Sequence, residues 1–261
     1  MPSHVDLLLL RDHLITKGRY FLPKKFNKIL EIFLEGAKHR TDFLQKTSEF
    51  WRARKLPNDI FSKKPLRLFS CHEMTAPNSA NTKANRITSK GIPCLFLSSD
   101  KKTAAVETRP WLGVNVQVAK FILQKKQKII DLTKDVLFGN ELREAVSGQR
   151  DQEQLTRELK IWQYLNVLYA RPVDVGGEDE YIFTQFIADL FKVKGGFDGI
   201  KYMSSVSHRG FNLALFNTKR AKIEDEKSMD VKEVTRILWD MHVPMGPRVI
   251  DLKKYRDFEQ W

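Results

Sequence analysis

The sequence predicts an α+β fold, and three observations carry that prediction. Apolar residues alternate over short runs at 50–54, 93–98, 114–121, 128–132, 199–204 and 212–216, which is the period of strands. They recur at three- and four-residue spacing over 25–49, 155–165 and 181–191, which is the period of helices. The two kinds of segment do not alternate strictly, so a doubly wound parallel sheet is not expected.

Element by element, the first residues form no export signal. The run Leu7–Leu10 is short, follows Asp6 and is closed by Arg11 and Asp12. No apolar stretch is long enough to span a bilayer, and a cytoplasmic protein is expected. Ile29, Ile32, Phe33, Phe43 and Leu44 predict a helix over Lys25–Glu49, with Gly36 as a candidate interruption. Residues 1–48 are therefore expected to form a basic helical extension. Phe50–Arg54 reads as a strand with Arg52 and Arg54 on one face. The stretch 56–90, broken by Pro57, Pro65 and Pro77, reads as a long irregular loop, a type that usually has a function.

Pro93–Ser98 then reads as a buried strand. Ser99 and Asp100 can cap a helix through Ala104, Ala105 and Glu107, ended by Pro110. Val114–Phe121 and Lys128–Leu132 are strands, and Leu155, Leu159, Trp162 and Leu165 mark an amphipathic helix. Tyr181, Thr184, Ile187, Ala188 and Phe191 mark another, closed by Gly195 and Gly196. Two core strands follow, Gly199–Ser204 and Asn212–Phe216. The tail, 218–261, is charged and then apolar (Ile237–Trp239, Val249, Ile250) and is expected to pack on the domain formed by 49–217.

The 261 residues carry a net charge of +13, and the first 70 hold 15 Lys/Arg against 7 Asp/Glu. Such a surface attracts polyanions: nucleic acid, an acidic partner or a dinucleotide. Aromatic residues interleaved with basic ones at 21–28 and 50–67 favour a nucleic-acid-binding protein. The lack of helix-turn-helix, zinc-finger or RNP-like spacing speaks against it. Cys71 and Cys94 lie in no CxxC and near no His at ligand spacing, so reduced structural thiols and no metal site are expected.

Four segments, in order, resemble the RES domain family, named for its Arg, Glu and Ser. They are Phe50-Trp51-Arg52-Ala53-Arg54; Asn85-Arg86 with Gly91-Ile92-Pro93 and Leu95-Phe96-Leu97; Thr103-Ala104-Ala105-Val106-Glu107 with Arg109-Pro110 and Gly113; and Asp198-Gly199-Ile200-Lys201-Tyr202-Met203-Ser204-Ser205 with Gly210, Asn212-Leu213 and Phe216. Tyr181 and Gln185 also fall where the family keeps a Tyr and a Gln. The likeness runs from about residue 49 to 217. Phe96 departs from it, standing where the family usually has Tyr.

What the resemblance implies is a mixed sheet core with flanking helices, related to ADP-ribosyltransferases, and an activity that consumes NAD⁺, often as a toxin countered by a protein antitoxin. NAD⁺ would be substrate rather than cofactor, with inorganic phosphate or water, ahead of a macromolecule, as acceptor of the ADP-ribosyl group. Breaking the nicotinamide–ribose bond gives an oxocarbenium-like transition state and a neutral leaving group. The site must therefore hold a pyrophosphate, clamp a ribose and stabilise positive charge. Arginine forks suit phosphate oxygens, which assigns Arg52 and Arg86, with Arg54 as helper. Glu107 is the candidate carboxylate beside the ribose. Ser204 offers a hydroxyl to substrate, but no Gly-x-Ser-x-Gly elbow or Ser-His-Asp order makes it a nucleophile. Phe96 and Tyr202 are candidates to stack in the pocket, and His208 lies near in sequence in a polar turn. The rival to an enzyme within this family is a degenerate interaction module, which Phe96 alone favours.

Overall fold

The computed structural model describes residues 4–57, 67–134, 152–171, 179–207 and 209–237. The expected class is observed: a mixed sheet with helices on its faces. Its strands are β1 (Thr41–Leu44), β2 (Glu49–Lys55), β3 (Leu95–Ser98), β4 (Asn115–Leu123), β5 (Gln127–Asp131), β6 (Gly199–Met203), β7 (Phe211–Leu215), β8 (Ala221–Ile223) and β9 (Asp230–Glu233). They lie in the order β1-β5-β6-β7-β3-β2-β4-β8, with β9 also on β4. β5 and β6 run parallel and every other pair is antiparallel.

Alternation along each strand divides the core in two. On β7, Leu213 and Leu215 join Phe50, Leu95, Leu97 and Phe121 on one face. Ala214, between them, turns to the other face, where Ile200, Tyr202, Trp162, Phe183 and Phe191 pack. That second face carries α1 (His4–Thr16), α2 (Lys24–His39), α5 (Gln152–Ala170) and α6 (Glu180–Asp189). Two short helices among the described residues are α3 (Cys71–Met74) and α4 (Lys101–Glu107).

Three expectations need correction. The helix expected over 25–49 ends at His39, and Phe43 and Leu44 lie in β1, paired with Lys128 and Gln127 of β5. An open sheet edge outweighs helix propensity there. Gly36 interrupts nothing, because it is buried within α2 and packing offsets its propensity cost of about 1 kcal/mol. The segment 56–90 is not uniformly irregular: α3 is closed by a capping box between Ser70 and Glu73. The helix His4–Thr16 falls within the expected helical extension 1–48, and Leu7, Leu10 and Leu14, all buried, recur at helical spacing along it. Among the described residues of the tail, β8 and β9 both pair with β4. His208 and the apolar part of the tail from Leu238 lie outside the described residues.

Glycine is required at two close approaches. A side chain on Gly199 would put its Cβ 2.3 Å from the Ala214 carbonyl oxygen across the β6–β7 pair. One on Gly210 would lie 2.0 Å from Thr103 Oγ1 of α4. Both cysteines are free. Cys94 is buried, its thiol donates to the Leu215 carbonyl at 3.2 Å, and burial pushes its pKa up to about 12. Thiol alkylation of the native protein at pH 8 should therefore label Cys71 and spare Cys94 until the chain is unfolded, as mass spectrometry of the peptides would show. Rapid native labelling of Cys94 would contradict this burial.

Candidate active site

The site begins where the sheet forks. β2 pairs with β4 along its whole length, but with β3 only at Trp51↔Ser98. Beyond that pair the Phe96 carbonyl has no ladder partner on β2. The Arg52 guanidinium fills the fork instead, donating from Nη1 to Phe96 O at 2.9 Å. Burial, and secondarily the neighbouring Arg54 charge, lower the Arg52 pKa to about 10. Its Nε is buried without a hydrogen-bond partner, and among the described residues no carboxylate pairs with it. A half-buried cation with its Nε out of water and no counter-charge is costly unless an anion arrives to compensate it.

Glu107 reaches the fork from α4. Asp100 caps that helix, accepting from Thr103 N (2.8 Å) and from the Thr103 hydroxyl (2.7 Å). Thr103 Oγ1 in turn lies 3.0 Å from Ser207 Oγ, and the close approach of Gly210 sets Ser207 and Gly210 against α4. The result places Ser204 beside Glu107. The Ser204 hydroxyl donates to Glu107 Oε1 at 2.7 Å, and Asn212 Nδ2 donates to the same oxygen at 2.6 Å. The Ser98 hydroxyl donates to Asn212 Oδ1 at 2.8 Å, which aims the amide NH₂ at the carboxylate. Two donors on one oxygen fix the carboxylate's rotamer.

Arg86 comes from the long loop. The Asn85 side chain accepts from the amides of Ile87 and Thr88, forming an Asx turn with Arg86 inside it. Gln185 of α6 braces that turn, donating to the carbonyls of Asn85 (2.7 Å) and Thr88 (3.1 Å). Arg86 Nη1 donates to the Tyr169 carbonyl in the last turn of α5, where a cation complements the helix dipole. Tyr169 is held by its own hydroxyl, which donates to Thr184 O at 2.7 Å. Burial pushes the phenols of Tyr169 and Tyr202 up, so both stay neutral donors near pH 7.

These parts surround one cavity of about 460 Å³, within the size range of small-molecule sites. Arg52, Arg86, Glu107, Phe96 and Tyr202 line it, as do Trp51, Arg109, Tyr181 and Asn212. Ser204 is buried behind Glu107, and its hydroxyl is engaged with that carboxylate. Arg54 is on the same face of β2 as Arg52 but does not line the cavity. It donates to Thr75 O at 3.2 Å and lies over the Phe69 ring, 5.7 Å from its centroid. Asn212 and Gln185 were given no role from sequence. Both fall at positions that resemble the family, and Asn212 is also a lone amide in the otherwise apolar Phe-Asn-Leu-Ala-Leu strand. Among the described residues no cluster of three or more His, Cys, Asp or Glu could hold a metal ion.

Fold and site together define a class: an α+β protein with two guanidiniums and a serine-braced glutamate around a pocket at a forked sheet. The chain belongs to the RES domain family, whose model matches residues 49–240. No curated protein matches it. Among solved structures, the M. tuberculosis MbcT–MbcA toxin–antitoxin complex is similar at 8% sequence identity and a TM-score of 0.37, covering 77% of this chain and 91% of that one. No described helix is long and apolar enough to cross a membrane.

Proposed function

We propose that this protein degrades NAD⁺ by cleaving the bond between nicotinamide and ribose, passing the ADP-ribosyl group to inorganic phosphate or water. The observation that carries this reading is the uncompensated, half-buried Arg52 cation, which shares one pocket with Arg86 and the braced Glu107 carboxylate. The two guanidiniums suit a pyrophosphate. The carboxylate suits a ribose that becomes cationic as its bond to nicotinamide breaks.

In the reaction the C1″–N bond breaks and its electron pair leaves with nicotinamide, which departs neutral and needs no general acid. An acceptor oxygen then bonds to C1″, and a water acceptor releases its proton to solvent. Glu107 holds the ribose hydroxyls and stabilises the oxocarbenium charge. Ser204 and Asn212 keep its Oε1 in place, while Phe96, Tyr181 and Tyr202 offer aromatic surface to the bases. A toxin role with a protein antitoxin as partner follows from the family resemblance.

The test is NAD⁺ consumption by the purified protein with and without phosphate, with products resolved by mass spectrometry. Nicotinamide release supports the reading, and ADP-ribose 1″-phosphate or free ADP-ribose identifies the acceptor. Folded protein that leaves NAD⁺ intact under both conditions refutes it. Arg86→Ala should weaken NAD⁺ binding about tenfold by calorimetry, the scale of one charge-assisted contact. Unchanged affinity would remove Arg86 from the phosphate site.

A further inference from the structure

We propose that Arg109 is a third anion-binding arginine of this pocket, recruited from the rim to the phosphates of the substrate. The proposal rests on the reading of the site as a dinucleotide pocket and adds a binding residue to it. Three observations converge on Arg109. It stands two residues beyond Glu107, just past the end of α4, with φ at +49°. That is the left-handed region, where helices usually stop on glycine because a Cβ is disfavoured there. Pro110 follows and narrows the conformations open to it further. An arginine here is therefore held in a backbone conformation that glycine would adopt more easily.

Arg109 lines the same cavity as Arg52, Arg86 and Glu107, yet it is exposed, which places it at the rim. Among the described residues no carboxylate pairs with it, in contrast to Arg67, whose guanidinium meets Glu73 at 2.6 Å. Charge balance points the same way. With Arg109 the lining holds three guanidiniums against the one carboxylate of Glu107. If Glu107 faces the cationic end of the substrate, the arginines face its two phosphate charges. Arg52 is deep in the fork, Arg86 is on the α5 side, and Arg109 closes the ring from the α4 side.

The experiment measures binding and stability on the same full-length variants. For wild type, Arg109→Gly and Arg109→Lys, calorimetry would follow NAD⁺ and inorganic pyrophosphate, and thermal unfolding would give Tm. Arg109→Gly should bind both anions about tenfold more weakly, the scale of one charge-assisted contact. Its Tm should hold or rise, because glycine suits the left-handed backbone. Arg109→Lys should recover part of the affinity. Binding by Arg109→Gly equal to wild type for both probes overturns the proposal, as does weaker binding accompanied by a fall in Tm. Wild type that binds pyrophosphate through Arg109 but not NAD⁺ would keep the anion site and refute the NAD⁺ reading. Wild type that binds NAD⁺ unaffected by Arg109→Gly would do the reverse.

Discussion

Replacing Glu107 with glutamine should abolish most NAD⁺ turnover while leaving the fold as it is. Glutamine keeps the side chain's length, and its carbonyl oxygen can still accept from Ser204 and Asn212, the two donors on Oε1. What it loses is the negative charge that the proposed reaction sets opposite a developing oxocarbenium. Removing one preorganised electrostatic stabiliser typically lowers the rate by about 10²–10³-fold, and that loss is expected here in single-turnover nicotinamide release. Glu107→Ala should be at least as inactive, since it also leaves both donors without their acceptor. Because Glu107 lines an open cavity, the glutamine change should leave the unfolding midpoint near the wild type, whereas the alanine change should lower it by leaving the buried Ser204 and Asn212 donors unpaired, at about 1–3 kcal/mol. A Glu107→Gln protein that turns over NAD⁺ at the wild-type rate would remove the carboxylate from the mechanism. The same rate loss accompanied by a collapsed midpoint would make Glu107 a structural residue instead.

The largest effect on stability is expected at Phe33, far from that pocket. Phe33 lies on α2, outside the matched family region, and is fully buried. Its ring stacks on Trp162 of α5 at 5.0 Å between centroids and on Phe191 at 5.5 Å. Arg40, just after α2, lies over the same Trp162 ring, 5.3 Å from its centroid. Truncating a fully buried phenylalanine costs about 3–5 kcal/mol, since the lost transfer energy is joined by a cavity that neighbours fill only in part. Phe33→Ala should therefore shift the whole denaturant transition, followed by tryptophan fluorescence and by circular dichroism together. An unmoved main transition, with only a minor early phase altered, would show that residues 1–48 fold apart from the rest.

Local patterning made much of this molecule legible before its shape was known. Strand period placed β2, β3, β4, β5, β6 and β7 to within a residue or two, and helical period placed α5 and α6. Asp100 announced the start of α4, and with it the last-turn position of Glu107. These features depend on neighbours a few residues away, so sequence spacing encodes them directly. The ordered motifs identified the family, because each is short and unspecific alone while their order is not.

Other features depend on contacts distant in sequence, and periodicity is silent about those. Phe43 and Leu44 fit a helix by spacing, but an unpaired edge of β5 about 85 residues on draws them into β1. Arg52 and Arg54 share a face by strand geometry, yet only Arg52 meets the fork, because β3 leaves β2 after one residue pair. Asn212 belongs to a family-like segment, but its task depends on Ser98, which turns the amide toward Glu107 across the sheet. Residue type and spacing thus determined the elements and the family. Which side chains share a cavity was settled by pairing and packing across the whole chain, where the open sheet edge, the fork and the partner of each buried polar group come into being.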